Sequence, residues 1–305
     1  MKIGVIGLGR MGANLAHHAV AKGHIVLGYD PSEAARQLSA AEGVQPVAGL
    51  QELVAGLDAP RVVMLYVPHG EVTESVCQAL RPLLRPADIV CDGGNSKWSD
   101  SVRHFGFFAE SGLRFLDLGT SGGVSGAREG ACFMVGGERA AFDVIAPLLR
   151  DLAVDDAGVF FAGPAGAGHF TKLVHNAIEF GMVQAIAEGV EMLLRSDYTL
   201  DLPGLLDNWQ HGSVVRSWLV ELMAKALREN TDLTPLSTYV EDTGEVKWVL
   251  QWALEQDIPA PVVSASQTAL TQYRDMDSSM AKSVALLRNQ YGGHPVHRKG
   301  DEPQQ

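Results

Sequence analysis

The segment KLVHNAIEF, residues 172 to 180, carries four polar side chains at helical spacing, which are Lys172, His175, Asn176 and Glu179. Residues three, four and seven apart lie on one side of a helix, so these side chains would form one polar stripe on an otherwise apolar segment. An amine and a carboxylate on one face can act as general base and general acid, while the imidazole and the amide orient a substrate. The alternative is a solvent-facing surface, where all four residue types are common.

The composition limits the classes of protein to which the chain can belong. It has 305 residues, 46% hydrophobic residues and a formal net charge of −12. This length predicts two domains with ample core, and no apolar run reaches the ~18 to 20 residues of a membrane span. The negative charge disfavours nucleic acid or an anionic membrane as a partner. An anionic small molecule would therefore need a local cluster of basic side chains.

The cysteines indicate a reducing compartment. Cys77, Cys91 and Cys132 are odd in number and lack the spacing of metal ligands. The chain opens on a strand-like run instead of a charged, cleavable leader. A cytoplasmic protein with no metal site is therefore expected.

The first thirty residues have the pattern of a dinucleotide-binding unit. They read as a strand at 3 to 6, a glycine turn, a helix from about 11 to 22, and a second strand at 25 to 29. Gly7 allows the tight turn, Gly9 lets a pyrophosphate approach the backbone, and Gly12 lets helix and strand pack closely. The helix N-terminus would offer its free N–H groups to the phosphates. The predicted cofactor contacts in this turn are Gly7, Leu8, Gly9, Arg10, Met11 and Gly12.

Asp30, at the end of the second strand, indicates the type of cofactor. A carboxylate at this position can accept hydrogen bonds from the adenosine ribose hydroxyls and would repel a 2′-phosphate, which favours NAD over NADP. The alternative is a turn-forming Asp before Pro31. Arg36 is interpreted as a solvated charge on a following helix.

Further strands and helices alternate up to residue 164 and predict a largely parallel, doubly wound sheet of the Rossmann type. In such sheets ligands bind beyond the carboxyl ends of the strands. Small and polar residues gather at these ends and are predicted to bind the cofactor or substrate: Val67, Asn95, Ser121, Gly122 and Gly123.

Residues 165 to 292 are expected to form an all-helical domain for substrate binding and oligomerisation. A glycine-rich entry leads into a helix of more than twenty residues, and a further helix is predicted over 213 to 230. The polar stripe lies just after the junction of the two domains, where a cleft would form. The final residues, 293 to 305, are polar and contain proline, which predicts a mostly disordered tail.

Several motifs together resemble the β-hydroxyacid dehydrogenases. They are GLGRMG (7 to 12), DLGTSGGVSGAREG (117 to 130) and GAGHFTKLVHN (166 to 176). Three more resemble the 6-phosphogluconate dehydrogenases within that group, in their short, NAD-preferring form: DGGNS (92 to 96), KLVHNAIE (172 to 179) and RNQYGGH (288 to 294). The resemblance covers nearly the whole chain.

The resemblance implies NAD-dependent oxidative decarboxylation of 6-phosphogluconate to ribulose 5-phosphate, a step of the pentose phosphate pathway. It implies that Lys172 takes the proton of the 3-hydroxyl and then acts as an acid toward the keto intermediate. Glu179 would protonate C1 of the enediol, with His175 and Asn176 completing the catalytic set. The implied substrate contacts are Asn95, which also lies near the nicotinamide, and Ser121, Gly122, Gly123, His175 and Asn176.

The resemblance also implies a phosphate site completed by a neighbouring subunit of a homo-oligomer, through Arg288 and His294. This sequence departs from the family pattern at Phe180 and Thr243, where a Tyr and a Lys are usual. Arg274 or Lys247 is expected to compensate, and Arg274 is counted among the predicted substrate contacts.

Two other functions compete with this interpretation. A non-decarboxylating β-hydroxyacid dehydrogenase, acting on a substrate like 3-hydroxyisobutyrate, needs Lys172 and Asn176 but has no evident need for Glu179 or Arg288. A nucleotide-sensing protein with an inactive catalytic face would bind NAD without turnover. The use of NADP, the acceptance of unphosphorylated gluconate, and the choice between dimer and tetramer stay open at this level.

Overall fold

A computed structural model describes residues 1–274, 277–292 and 295–297 of the chain. The chain divides into two compact units. The first unit comprises Met1–Ile178 with Glu245–Trp252, and the second comprises Glu179–Gly244 with Ala253–Gln305. The predicted boundary at residue 164 stays a prediction.

The first unit is built on an eight-stranded sheet with the order β3-β2-β1-β4-β5-β6-β7-β8. Neighbouring strands are parallel except for β6 and β7, which are antiparallel. The strands are β1 (Lys2–Ile6), β2 (Ile25–Tyr29), β3 (Gln45–Pro46), β4 (Val62–Leu65), β5 (Ile89–Asp92), β6 (Arg114–Ser121), β7 (Cys132–Gly137) and β8 (Val159–Gly163).

Helices cover both faces of this sheet, because its central strands carry apolar side chains on both sides. Within β4, Val62 and Met64 pack into one core cluster, whereas Val63 and Leu65 pack into another. This alternation follows from the two-residue period of a strand. The helices that begin within Met1–Ile178 are α1 (Arg10–Ala21), α2 (Glu33–Ala40), α3 (Leu50–Ala55), α4 (Glu71–Leu80), α5 (Trp98–Ala109), α6 (Gly123–Glu129), α7 (Arg139–Leu152) and α8 (Ala167–Leu194).

The strand order changes direction between β1 and β4, which are neighbours in the sheet. Strands β2 and β3 extend the sheet on one side of β1, and β4 to β6 extend it on the other. The carboxyl ends of β1, β4, β5 and β6 therefore meet at one edge, beside the switch point where doubly wound sheets bind ligands. The predicted Rossmann-like sheet is confirmed.

The second unit is helical, as predicted, and has its own small core. Val190 on α8 packs with Leu206, Val220 and Ala224 on the next two helices. Helices α9 (Leu202–Gln210), α10 (Trp218–Glu229), α11 (Glu245–Glu255), α12 (Pro261–Gln272) and α13 (Ser279–Gly292) follow α8, and the first residues of α11 belong to the first unit.

The predicted start of one helix was wrong. Helix α10 begins at Trp218 and not at residue 213. Its N-cap is Ser217, whose hydroxyl accepts a hydrogen bond from the backbone N–H of Val220 at 3.3 Å. An N-cap residue is itself non-helical, so the helix cannot include the residues before it.

Two further predictions concern membrane-spanning helices and the C-terminal tail. No helix within 1–274, 277–292 or 295–297 is both long and apolar enough to cross a membrane. Most of the tail predicted to be disordered, residues 293–294 and 298–305, lies outside the described residues. All three cysteines are free thiols.

Candidate active site

The glycine turn after β1 has the shape that a dinucleotide pyrophosphate requires. Gly7 has a φ of +90°, and a side chain there would collide with the carbonyl oxygen of Tyr66. A side chain at Gly12 would collide with the carbonyl oxygen of Gly7, whereas one at Gly9 would meet open space. Gly7 and Gly12 thus allow the turn to pack closely on its neighbours, and Gly9 leaves room beside the N-terminus of α1. The turn fits a dinucleotide cofactor.

The remaining residues of the turn differ in their exposure. Leu8 is buried, Met11 is half-buried and Arg10 is exposed. The backbone N–H of Leu8 donates to Asp30 Oδ2 at 2.9 Å. Asp30 therefore braces the same turn whose ligand it is predicted to contact.

Asp30 is held at the end of β2 by backbone donors. Its Oδ1 atom accepts a hydrogen bond from the N–H of Ser32 at 2.8 Å, which gives it the turn-forming role as well. Each carboxylate oxygen keeps a second lone pair for a ribose hydroxyl. Arg36 is not merely a solvated charge, because its Nη1 donates to the carbonyl oxygens of Asp30 at 2.5 Å and Pro31 at 3.3 Å.

Asp92 organises the loop that follows β5. This fully buried carboxylate accepts the N–H of Gly94 at 3.0 Å and the hydroxyl of Ser96 at 2.8 Å. Asn95 lies between them, and its Nδ2 donates to Oε1 of Glu245 on α11. Sequence reasoning missed Glu245, since nothing in its local sequence links it to a residue 150 positions away.

A second buried carboxylate, Asp117 on β6, fixes the start of α8. It accepts hydrogen bonds from the N–H of Gly166 at 2.7 Å and of His169 at 2.8 Å, which lie at the N-terminal turn of the helix. Negative charge at this end also suits the helix dipole. A side chain at Gly119 would collide with Lys172, so the missing Cβ lets the helix approach the strand closely.

Three members of the polar stripe are hydrogen-bonded to one another in the first unit. Lys172 Nζ donates to Asn176 Oδ1 at 2.5 Å and lies 3.2 Å from His175 Nδ1. His175 Nε2 lies 3.1 Å from the hydroxyl of Ser121, at the end of β6. If Nδ1 accepts from the amine, the ring proton is on Nε2 and is donated to Ser121. The stripe is not an ordinary solvated surface, because Asn176 is buried and the other two are half-buried.

The loop after β6 continues from Ser121 into α6 through two glycines. Gly122 and Gly123 have φ values of +116° and +61°, which few other residues adopt. After β4, Val67 is half-buried, and its carbonyl oxygen lies against Gly94. The predicted strand-end residues of β4, β5 and β6 thus share one edge of the sheet.

Glu179 is the first residue of the second unit, seven residues after Lys172 on the continuous helix α8. Glu179 and Phe180 are both half-buried, and Thr243 is exposed. Arg274 Nη1 lies 3.7 Å from Oδ2 of Asp242, a carboxylate within the same unit. Arg288 is exposed on α13, and His294 lies outside the described residues. The predicted phosphate site, which needs a neighbouring subunit, stays a prediction.

Two family models match the chain over most of its length. Residues 2–163 match the NAD binding domain of 6-phosphogluconate dehydrogenase. Residues 168–269 and 192–305 match the C-terminal domain of 6-phosphogluconate dehydrogenase.

Two relatives match over their full length. The chain is 41% identical over 98% of its length to the Bacillus subtilis protein YqeC, which is provisionally named as a 6-phosphogluconate dehydrogenase. It is 37% identical over 99% of its length to the NAD(+)-dependent, decarboxylating 6-phosphogluconate dehydrogenase of Haloferax volcanii. Both alignments cover 100% of the relative.

Solved structures from two kinds of enzyme are similar to the chain. Plasmodium falciparum 6-phosphogluconate dehydrogenase, described with its cofactor NADP+ and its substrate, superposes with a TM-score of 0.83 at 27% identity and covers 99% of this chain and 67% of its own. Mycobacterium tuberculosis 3-hydroxyisobutyrate dehydrogenase superposes with a TM-score of 0.71 at 28% identity, covering 89% of this chain and 92% of its own.

Proposed function

The chain belongs to the 6-phosphogluconate dehydrogenase family of oxidoreductases, and from that premise we propose that it converts 6-phosphogluconate to ribulose 5-phosphate and carbon dioxide with NAD. The observation that carries the proposal is the hydrogen-bonded cluster of Lys172, His175 and Asn176 beside Ser121. An amine with oriented polar neighbours, at the ligand-binding edge of a nucleotide sheet, suits proton transfer at a hydroxyl carbon.

In the proposed reaction Lys172 acts first as a base and then as an acid. As the free amine, it takes the proton of the 3-hydroxyl. A nicotinamide cofactor held by the glycine turn would supply the acceptor for the hydride that leaves C3. The protonated Lys172 then gives that proton to the 3-keto oxygen as the C1–C2 bond breaks, so that carbon dioxide leaves and an enediol remains. Asn176 and His175 keep the Lys172 nitrogen in position through the contacts described above.

Glu179 completes the proposed sequence as a general acid. It gives a proton to the enediol carbon that becomes C1 of ribulose 5-phosphate, while Lys172 takes the proton of the enol hydroxyl. Its position seven residues after Lys172, on the same stripe of α8, supports this role. Ser121, Gly122 and Gly123 are proposed to hold the sugar acid, and Asn95, braced by Glu245, to lie near the nicotinamide.

NAD is proposed over NADP because of the Asp30 carboxylate, which would repel a 2′-phosphate. The Haloferax volcanii relative is named for NAD(+) use, which supports this choice. The neighbouring guanidinium of Arg36 is the feature that would favour NADP.

We propose that the working form is a cytoplasmic homo-oligomer whose phosphate site is completed by the C-terminal segment of a neighbouring subunit. Arg288 and His294 would supply that contact, with Arg274 from the same chain. Dilution to the monomer is then expected to abolish turnover, and sedimentation measured together with activity checks this.

Initial rates with 6-phosphogluconate and with gluconate, each with NAD and NADP, test the proposal directly. Reduced nucleotide and released carbon dioxide are recorded together. Equal amounts of both products, with the phosphorylated acid and mainly with NAD, are the expected result. Turnover without carbon dioxide would contradict decarboxylation, and turnover mainly with NADP would contradict the cofactor assignment.

The second candidate is a non-decarboxylating hydroxyacid dehydrogenase. The similarity to a 3-hydroxyisobutyrate dehydrogenase structure favours it, because that fold covers 89% of this chain. Lys172 and Asn176 would serve such an enzyme equally well. Reduction of nucleotide by 3-hydroxyisobutyrate without carbon dioxide release, and no turnover of 6-phosphogluconate, would establish this candidate in place of the first.

A further inference from the structure

A cleft lined by arginines lies at the edge of the sheet opposite to the candidate active site. Its volume is about 430 Å³, which is within the range of small-molecule sites. It is lined by Arg61, Arg85 and Arg114, by Asp88, and by Ala59, Pro60, Pro86 and Ala87. These residues precede or begin β4, β5 and β6, whose first residues are paired in register. We call this feature the arginine cleft.

One buried residue, Asp88, fixes the backbone of all three arginines through its carboxylate and its main-chain carbonyl. Asp88 Oδ1 accepts the N–H of Arg61 at 2.8 Å, and Oδ2 accepts the N–H of Arg85 at 2.9 Å. The carbonyl oxygen of Asp88 accepts the N–H of Arg114 at 2.9 Å. Because these bonds run between three separate segments, the positions from which the guanidinium groups project are set before any ligand arrives.

The charges of the cleft are unbalanced. Three arginines and one aspartate line the cleft, an excess of two positive charges in a chain of net charge −12. Asp88 is only 1% exposed and is paired with Arg61 at 3.0 Å. Within the part of the chain that the structure describes, no acidic side chain pairs with Arg85 or Arg114. Their guanidinium groups have the geometry that binds phosphate oxygens in pairs.

The loop between Arg85 and Asp88 has a strained conformation. Ala87 has a φ of +74°, which residues with a side chain seldom adopt. The loop is held there by the hydrogen bond from Ala87 N–H to the carbonyl oxygen of Gly112 at 2.9 Å, together with the bonds to Asp88. Strained backbone of this kind clusters at ligand sites.

We propose that the arginine cleft is a second anion-binding site, separate from the candidate active site, for a small polyanion of the phosphoanhydride type. Arg85 and Arg114 offer one guanidinium to each of two linked phosphate groups, and the volume of about 430 Å³ suits a small ligand. The site is independent of which sugar acid the enzyme oxidises, because no residue of the polar stripe lines it.

Isothermal titration of the full chain with inorganic pyrophosphate tests the proposal. Saturating NAD is present so that the glycine turn is occupied. The double variant R85A/R114A removes two guanidinium groups but keeps the backbone N–H groups that bond Asp88. The matched control R150A/R195A removes two exposed arginines, Arg150 on α7 and Arg195 just after the end of α8. Wild type and control are expected to bind equally, and R85A/R114A at least about tenfold more weakly.

Parallel titrations with orthophosphate and ADP distinguish the sources of the anion. ADP that binds as tightly as pyrophosphate and loses affinity in R85A/R114A would identify nucleotides as a source of the ligand, and much weaker ADP binding would identify the free anion. An unchanged dissociation constant for pyrophosphate in R85A/R114A, or no saturable binding to the wild type, would overturn the proposal. Equal melting temperatures of the variants without ligand would show that the change is in binding and not in folding.

Discussion

Buried carboxylates fix the chain segments at both edges of the sheet, but the two edges present different side chains. At the carboxyl edge, the buried Asp92 accepts hydrogen bonds from the loop that follows β5. Its partner on β6, Asp117, accepts them from the N-terminal turn of α8. At the amino edge, the buried Asp88 does so for the segments that precede the strands. The carboxyl edge presents the glycines of its loops, the amide of Asn95 and the Lys172 cluster of α8, whereas the amino edge presents arginines. A buried carboxylate therefore fixes the shape of a loop, and the side chains of the loop decide what it can bind.

The largest expected effect is the loss of chemistry at the carboxyl edge. Lys172→Ala removes the proposed proton acceptor, so kcat is expected to fall by about 10³-fold or more, while binding of reduced dinucleotide, followed by fluorescence, is unchanged. Lys172→Arg keeps the charge but cannot lose its proton near neutral pH, and it should be equally inactive. Activity retained in the Arg variant would mean that the positive charge alone is what the reaction needs.

The next effect is on stability at the amino edge. Asp88→Ala leaves the Arg61 guanidinium and two backbone N–H groups without their acceptor, so the free energy of unfolding should fall by about 3–5 kcal/mol. Chemical denaturation measures this change. The exposed Asp58 nearby gives the matched control, Asp58→Ala, which should change stability little. A similar loss in both variants would show that the edge does not depend on Asp88.

A smaller effect concerns the choice of cofactor at the end of β2. Asp30→Asn removes the charge but keeps an oxygen that can accept from the N–H of Leu8. With Arg36 still beside it, the ratio of kcat/KM for NADP to that for NAD should rise by about tenfold. The double variant that also carries Arg36→Ala should lose most of that gain. An unchanged ratio in Asp30→Asn would exclude the carboxylate as the determinant.

The smallest effect is a pH dependence at the amino edge, near the start of β2. Burial, together with the amino group of Met1, holds the pKa of His24 below its usual value, although Asp151 partly opposes this. Since the folded pKa is lowered, the unfolded chain takes up the proton first as pH falls below about 6.5, and stability declines from there down to the folded pKa. The melting temperature should drop between pH 7.5 and 5.5 by about 2 °C more in wild type than in His24→Gln. Equal drops would show that His24 does not contribute.

Local sequence patterns were enough to predict the helix and the turn that carry the candidate site. The glycine spacing from Gly7 to Gly12 and the polar stripe on α8 depend on residues a few positions apart, and a helix or a tight turn converts such spacing directly into geometry. The helix start at Trp218 was missed because competing caps are close in energy and only the Ser217 bond selects among them.

The sequence alone therefore determined the doubly wound sheet, the nucleotide turn and the placement of Lys172, His175 and Asn176 on one helix face. Only the tertiary structure decided that Glu245 braces Asn95, that Arg36 lies against Asp30, and that Asp88 gathers three arginines into a cleft. The physical reason is the range of the interactions. Periodicity acts within one element, whereas a carboxylate that accepts from several loops acts between segments that only the folded sheet brings together.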